Sequence, residues 1–135
     1  MSAATDEMWD SMIAGSDELA DELGLAKERF TPRSLAAIDR WLTSLGNDPL
    51  DEETAVRLGL YLARLLTETH DGGLVRIHHK SHALDGEWAV TGFARDLAND
   101  YHVPFMVSAA RIAFDRSLTA RRWYDELLRE GRPAG

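Results

Sequence analysis

The histidines are the residues best placed to do chemistry, because four of the five lie within 13 consecutive positions: His70, His78, His79 and His82. Imidazole is a preferred ligand of zinc and nickel. The local pattern predicts a strand, on which His78 and His82 would share a face about 13 Å apart, too far to bind one metal without a third residue between them. On a helix the same pair would lie at i,i+4 and could chelate a metal with Asp71 or Asp85. The turn signal that follows favours the strand, so we expect a solvated face, no cofactor, and His78 and His82 as candidate metal ligands.

A second set of reactive side chains follows the predicted hairpin: Asp96, Asp100 and His102. Two carboxylates and an imidazole could carry acid–base catalysis, although caps and turns are the commoner use of such aspartates. The sequence contains no Gly-x-Ser-x-Gly elbow, P-loop, dinucleotide fingerprint or His-Glu-x-x-His motif, and no cysteine. We therefore assign no catalytic residue and expect a non-catalytic protein. The alternative is a metal-dependent or acid–base enzyme that uses the histidine-rich hairpin.

Negative charge is concentrated in the first 25 residues, which hold seven of the 23 acidic residues and none of the 15 basic ones. They are Asp6, Glu7, Asp10, Asp17, Glu18, Asp21 and Glu22. Residues 5–23 otherwise read as an amphipathic helix that Gly15 and Ser16 split in two. Like charges repeat at i,i+4, which destabilises an isolated helix by about 0.2–0.5 kcal/mol per pair. The segment should therefore be ordered only against a receiving surface.

There are two candidates for the surface on which this segment becomes ordered. One is the protein's own domain, whose C-terminal arginines offer cations: Arg111, Arg116, Arg121, Arg122, Arg129 and Arg132. The other is a basic protein partner, with Trp9 and Met12 as apolar anchors beside Asp10, Asp17 and Asp21.

Hydrophobic spacing predicts further helices over about residues 32–45, 52–69 and 104–113, and a last helix capped by Ser117 or Thr119. Between them, residues 74–84 and 87–94 predict a β-hairpin joined by a two-residue Asp-Gly turn, which places Ala83 opposite Trp88. In that register Val75, Ile77, Trp88 and Val90 face the core. A further extended segment covers residues 100–103.

The order of these elements resembles small actinobacterial domains of unknown function. Residues 58–62 read Leu-Gly-Leu-Tyr-Leu, and a glycine-rich break, a Trp-bearing hairpin, Pro104-Phe105 and a closing Trp123-Tyr124-x-x-Leu127-Leu128 follow. In that family a helix written roughly Leu-Gly-x-Tyr-Leu-Gly precedes a sheet and a C-terminal helix; here Ala63 replaces the second glycine. The resemblance covers about residues 35–128 and implies a fold without a function.

The predicted fold class is α+β: a single domain with N-terminal helices, a central β-hairpin or small antiparallel sheet, and C-terminal helices. We divide the chain into an acidic amphipathic segment (1–25), the α+β domain (26–130) and a disordered tail (131–135). A net charge of −8 argues against nucleic acid, and no apolar run is long enough for a membrane helix. We expect a cytoplasmic interaction module, an acidic inhibitor or adaptor for a basic protein, with homodimerisation through spare apolar helix surface as another alternative.

Overall fold

Helix α3 (Glu52–His70) lies at the centre of the fold. The Asp51 carboxylate accepts a hydrogen bond from the backbone N–H of Thr54 (2.7 Å) and so caps the helix. Nine of the 19 residues of α3 are buried, so the helix needs neighbours on several sides. The computed structural model describes residues 2–3, 6–25, 27–46, 48–70, 72–77, 85–94, 100–115, 117–130 and 132–133.

The described elements form one α+β domain, which confirms the predicted fold class. The other helices are α1 (Asp6–Glu22), α2 (Leu35–Ser44), α4 (Phe105–Phe114) and α5 (Ala120–Glu130), with a 3₁₀ turn at Pro32–Ser34. The strands are β1 (Ser2–Ala3), β2 (Leu74–Arg76), β3 (Trp88–Ala94), β4 (Asp100–Val103) and β5 (Arg132–Pro133). Helices α1 and α4 both pack on α3, and α2 packs on α5. The acidic segment is thus part of the same hydrophobic core, to which Met12, Leu19 and Ala20 belong.

The sheet is antiparallel in the order β1-β2-β3-β4. Phe93 of β3 pairs with Tyr101 of β4 and also with Pro133 of β5. Strand β5 therefore lies on the edge of β3 that β2 occupies further along. The buried side chains of Val90 and Phe93 join the sheet to the helical core.

The hairpin between β2 and β3 exists, but the predicted register is wrong. Trp88 pairs with Arg76 instead of Ala83. The Gly86 N–H donates to the carbonyl of Ile77 (2.7 Å), so the connection begins at residue 78 and is longer than a two-residue turn. The Asp-Gly pair does form a turn, but it lies at the end of this connection.

The shift in register changes the face that β2 turns to the core. Leu74 pairs with Val90, and both are buried. Val75, which we predicted to face the core, is only half-buried because neighbouring residues of a strand point to opposite faces. A shift by an odd number of residues exchanges the two faces of a strand.

The predicted break in α1 is absent. Gly15 faces α3 at a point where a Cβ atom would collide with the side chain of Leu60, so α1 and α3 approach closely there. Ser16 is buried and donates its hydroxyl to the carbonyl of Ile13 (3.1 Å) instead of capping a second helix. The small residues that suggested a break therefore serve the packing of a continuous helix.

The phenol of Tyr61 organises the chain between α1 and α2. Its oxygen accepts the backbone N–H of Phe30 (3.0 Å) and donates to Ser34 Oγ (2.6 Å), which donates to the carbonyl of Thr31 (2.7 Å). Phe30 has a φ of 61°, a conformation that non-glycine residues rarely adopt. Tyr61 is fully buried, and burial raises the pKa of its phenol above 10.0.

A carboxylate ties α2 to the start of α5. Asp39 accepts the backbone N–H groups of Ala120 (2.7 Å) and Arg121 (3.1 Å). The next free N–H of α5, that of Arg122, is bound by Thr119 Oγ1 (3.0 Å), which confirms one of the two predicted caps.

Gly72 supports the hairpin where two backbone segments meet. A Cβ atom at position 72 would collide with the carbonyl oxygen of Thr91, whereas one at Gly73 would meet only Thr91 Oγ1, at 3.2 Å. We expect Gly72→Ala to lower the free energy of unfolding by about 1–3 kcal/mol, because a backbone atom must move. Gly73→Ala is the matched control and should cost less, since a side chain can adjust. Urea unfolding of both variants measures the difference, and equal losses would contradict this explanation.

Candidate functional site

The two predicted apolar anchors of α1 lie against the protein's own core. Met12 is only 2% exposed. Trp9 is half-buried and packs on the core cluster. Met12 could therefore contact a partner only if α1 left its place on α3.

Four acidic residues of α1 pair with arginines, but none of them pairs with the described arginines of α4 and α5. Asp17 pairs with Arg64 (2.6 Å) and Asp21 with Arg29 (3.2 Å). Arg57 pairs with Glu22 (2.6 Å) and Glu18 (3.4 Å). Two of the three cations come from α3, because that helix lies directly beneath α1. Asp10 is exposed and forms no ion pair with any described residue.

The candidate metal ligands His78 and His82 lie outside the described residues, as does His79. Within the part of the chain that the structure describes, no three His, Asp or Glu side chains are grouped so that they could hold a metal ion. His70, the first histidine of the series, is among the described residues, and its side chain contacts two aromatic residues. Its Nε2 lies 2.8 Å from the hydroxyl of Tyr124, and its ring contacts Phe93 edge-on. Burial lowers the pKa of the His70 imidazole below its usual 6.5.

An open groove with a volume of about 550 Å³ lies between α3 and α4. Its lining residues, which define the apolar groove, are Leu50, Glu52, Ala55, Val56, Glu87, Met106, Ala110, Ala113 and Phe114. Phe114 is 73% exposed and Val56 41% exposed. Large side chains that remain this accessible on one concave surface are typical of a binding site.

Helix α4 forms one wall of the apolar groove through a stripe at i, i+4 and i+8: Met106, Ala110 and Phe114. The opposite face of α4, with Phe105 and Ile112, is buried in the core. Met106 also touches α3 at Gly59, where a Cβ atom would come within 2.7 Å of its sulfur. Gly59 thus lets α3 and α4 approach closely beside Met106. The side chain of Phe114, at the end of α4, remains exposed.

The charged residues of the apolar groove are acidic. Glu52, from the first turn of α3, and Glu87, which precedes β3, both line it. No lysine or arginine is present among its described lining residues. Arg111 of α4 lines a separate cavity between α4 and α5. The apolar groove therefore suits a ligand that combines apolar groups with positive charge.

Sequence reasoning did not single out the apolar groove. The signal in the sequence is a surplus of apolar positions: Val56 widens the face of α3, and Phe114 falls outside the core-facing spacing of α4. Such a surplus does not show which positions stay uncovered, because that depends on how α3 and α4 pack. Glu87 reaches the site through the sheet, far from both helices in sequence.

No protein-family model, curated protein or solved structure shows a significant match to this chain. The resemblance to actinobacterial domains therefore stays a prediction. None of the described helices has the length and apolar character needed to cross a membrane.

The ion pairs that hold α1 can be tested by a charge-matched pair of substitutions. Asp17→Asn removes the shorter of the two ion pairs of Arg64, which also contacts Glu68, and should lower the free energy of unfolding by about 0.5–1 kcal/mol at low salt. Asp10→Asn removes the same charge from an exposed position of the same helix and should have no effect or a slight stabilising one, because it relieves repulsion. Urea unfolding at low and high salt measures both. A cost of Asp17→Asn that does not shrink in high salt would contradict an ion-pair effect.

His70 should make stability depend on pH. Because its folded-state pKa is lowered, the unfolded chain binds more protons below about pH 6.5, so the contribution of His70 is present above that pH and is lost as the pH falls. We expect the stability of the native protein relative to His70→Gln to decrease between about pH 7.5 and pH 5. Denaturant unfolding at several pH values checks this. A difference that increases as the pH falls would show that His70 gains a charge partner instead.

Proposed function

We propose that this protein is a small cytoplasmic interaction module that binds a basic protein partner through the apolar groove and acts by binding instead of catalysis. One observation carries the proposal: Phe114 is 73% exposed at the edge of a concave apolar surface. Aromatic side chains in such positions provide much of the binding energy of protein interfaces. The side chain of Phe114 is not part of the hydrophobic core, so core packing does not explain why this residue is aromatic.

Charge supports a basic partner. The chain has a net charge of −8, and the apolar groove itself contains Glu52 and Glu87. Asp6, Glu7 and Asp10 add exposed negative charge at the start of α1. A field of one sign accelerates encounters with an oppositely charged protein and disfavours acidic ones.

The proposed binding face differs from the one that the sequence suggested. Asp17 and Asp21 of α1 already pair with arginines of the same chain, and Met12 is in the core. Binding through Met12 would first require α1 to leave α3, and a partner that bound Asp17 or Asp21 would compete with Arg64 or Arg29. The apolar groove needs no such rearrangement. An inhibitor and an adaptor would both use it in the same way, by covering a basic surface of the partner.

The proposal predicts a partner that touches position 114. A photo-crosslinking amino acid replaces Phe114 in the source cells, and the control carries it at Leu45, an exposed apolar residue (43%) outside the apolar groove. We expect one basic protein to be crosslinked from position 114 only.

Binding of that protein, once purified, is then measured by calorimetry. Phe114→Ser should weaken it about tenfold or more, whereas Leu45→Ser should not change it. Both variants should remain folded, because the replaced side chains are exposed. Identical crosslinking from both positions, or unchanged binding by Phe114→Ser, would refute the proposal.

A further inference from the structure

We infer that the occupant of the apolar groove is an amphipathic α-helix whose apolar stripe is flanked by Lys or Arg residues. The inference rests on the proposed function and specifies the partner. Three features of the described residues lead to it: the nature of the walls, the length of the wall on α4, and the charges among the lining residues.

The walls favour a helical occupant. Both are α-helices, Glu52–His70 and Phe105–Phe114, whose backbone groups are hydrogen-bonded within each helix. An extended peptide in the groove would turn part of its N–H and C=O groups toward the apolar side chains of Met106, Ala110 and Phe114, where they have no partners. A helix satisfies its backbone internally and presents only side chains. Helix-in-groove binding is an established mode of peptide recognition for this reason.

The dimensions agree with a short helical segment. The stripe from Met106 to Phe114 spans about 12 Å along α4, since each residue of a helix rises about 1.5 Å. A parallel or antiparallel helix would cover that length with about two turns, and would present apolar residues at i, i+3 or i+4, and i+7. Phe114 at one end is then the natural contact for the largest of them.

The charges select a basic helix and disfavour a second copy of this chain. Glu52 and Glu87 lie among the apolar lining residues, and Asp51 and Glu53 adjoin Glu52 in the sequence. In a two-fold dimer through this face, both copies would bring their acidic residues into one interface, and neither would bring a cation from the described lining residues. Such like-charge contacts across an interface oppose association. Lys or Arg residues beside the apolar stripe of another protein would instead pair with Glu52 and Glu87.

The test is a displayed library of helical peptides of about 18 residues, in which the apolar stripe is fixed and the flanking positions vary among Lys, Glu and Gln. Selection on the native protein should enrich Lys at the flanks. The best peptide should bind Phe114→Ser about tenfold or more weakly and Leu45→Ser unchanged. The double variant Glu52→Gln with Glu87→Gln should weaken binding and reduce its dependence on salt.

A proline twin of the best peptide separates helix from extended binding, because proline in its centre breaks a helix. We expect the twin to bind about tenfold or more weakly. Equal binding of the twin, no enrichment of Lys, binders that ignore Phe114→Ser, or a dimer in light scattering that Phe114→Ser dissociates would each overturn the inference. If crosslinking from position 114 succeeds while the library fails, the partner is real but is not a basic helix; if crosslinking fails, the proposed function itself is wrong.

Discussion

The structure depends on the contact between α1 and α3, where an acidic helix packs on a helix that supplies arginines. Arg57 reaches Glu18 and Glu22, and Arg64 reaches Asp17. These ion pairs are partly exposed, so each contributes about 1 kcal/mol or less. Burial of one leucine contributes about 1.5–3 kcal/mol. Apolar burial therefore supplies most of the stability of this contact, while the arginines offset the repulsion along α1 and set its position.

Arg64 extends this contact to the chain between α1 and α2. Its guanidinium lies over the ring of Phe30, 3.8 Å from the centroid. The same Phe30 is held by its backbone N–H on the Tyr61 phenol, which explains how a non-glycine residue keeps a left-handed conformation. A single buried helix, α3, thus positions α1 on one side and the start of α2 on another. The first turns of α3, which include Val56, line the apolar groove.

The ion pairs that the acidic residues of α1 form within the molecule influence which surface can bind a partner. Charge density alone pointed to α1, because the first 25 residues hold seven acidic residues and no basic one. Arg64 and Arg29 pair with the carboxylates of Asp17 and Asp21, so less of the negative charge of these two residues is available to a partner. The apolar surface that stays exposed is instead formed by α3 and α4, and its acidic groups come from Glu52 of α3 and from Glu87, which precedes β3.

Local chemistry in the sequence determined most elements. The Asp51 cap, the Thr119 cap and the strand at Asp100–Val103 follow from neighbouring residues, because caps and spacing act within a turn or two of the chain. The pairing of Trp88 with Arg76 did not follow, because register is selected by which face of β2 the core buries.

The origin of the cations for α1 and the exposure of Phe114 were likewise decided only by tertiary structure. Both depend on which helices become neighbours in space, and a single helix pattern does not contain that information. The sequence by itself determined an acidic α+β protein with spare apolar surface, and the packing of α3 and α4 decided where that surface lies.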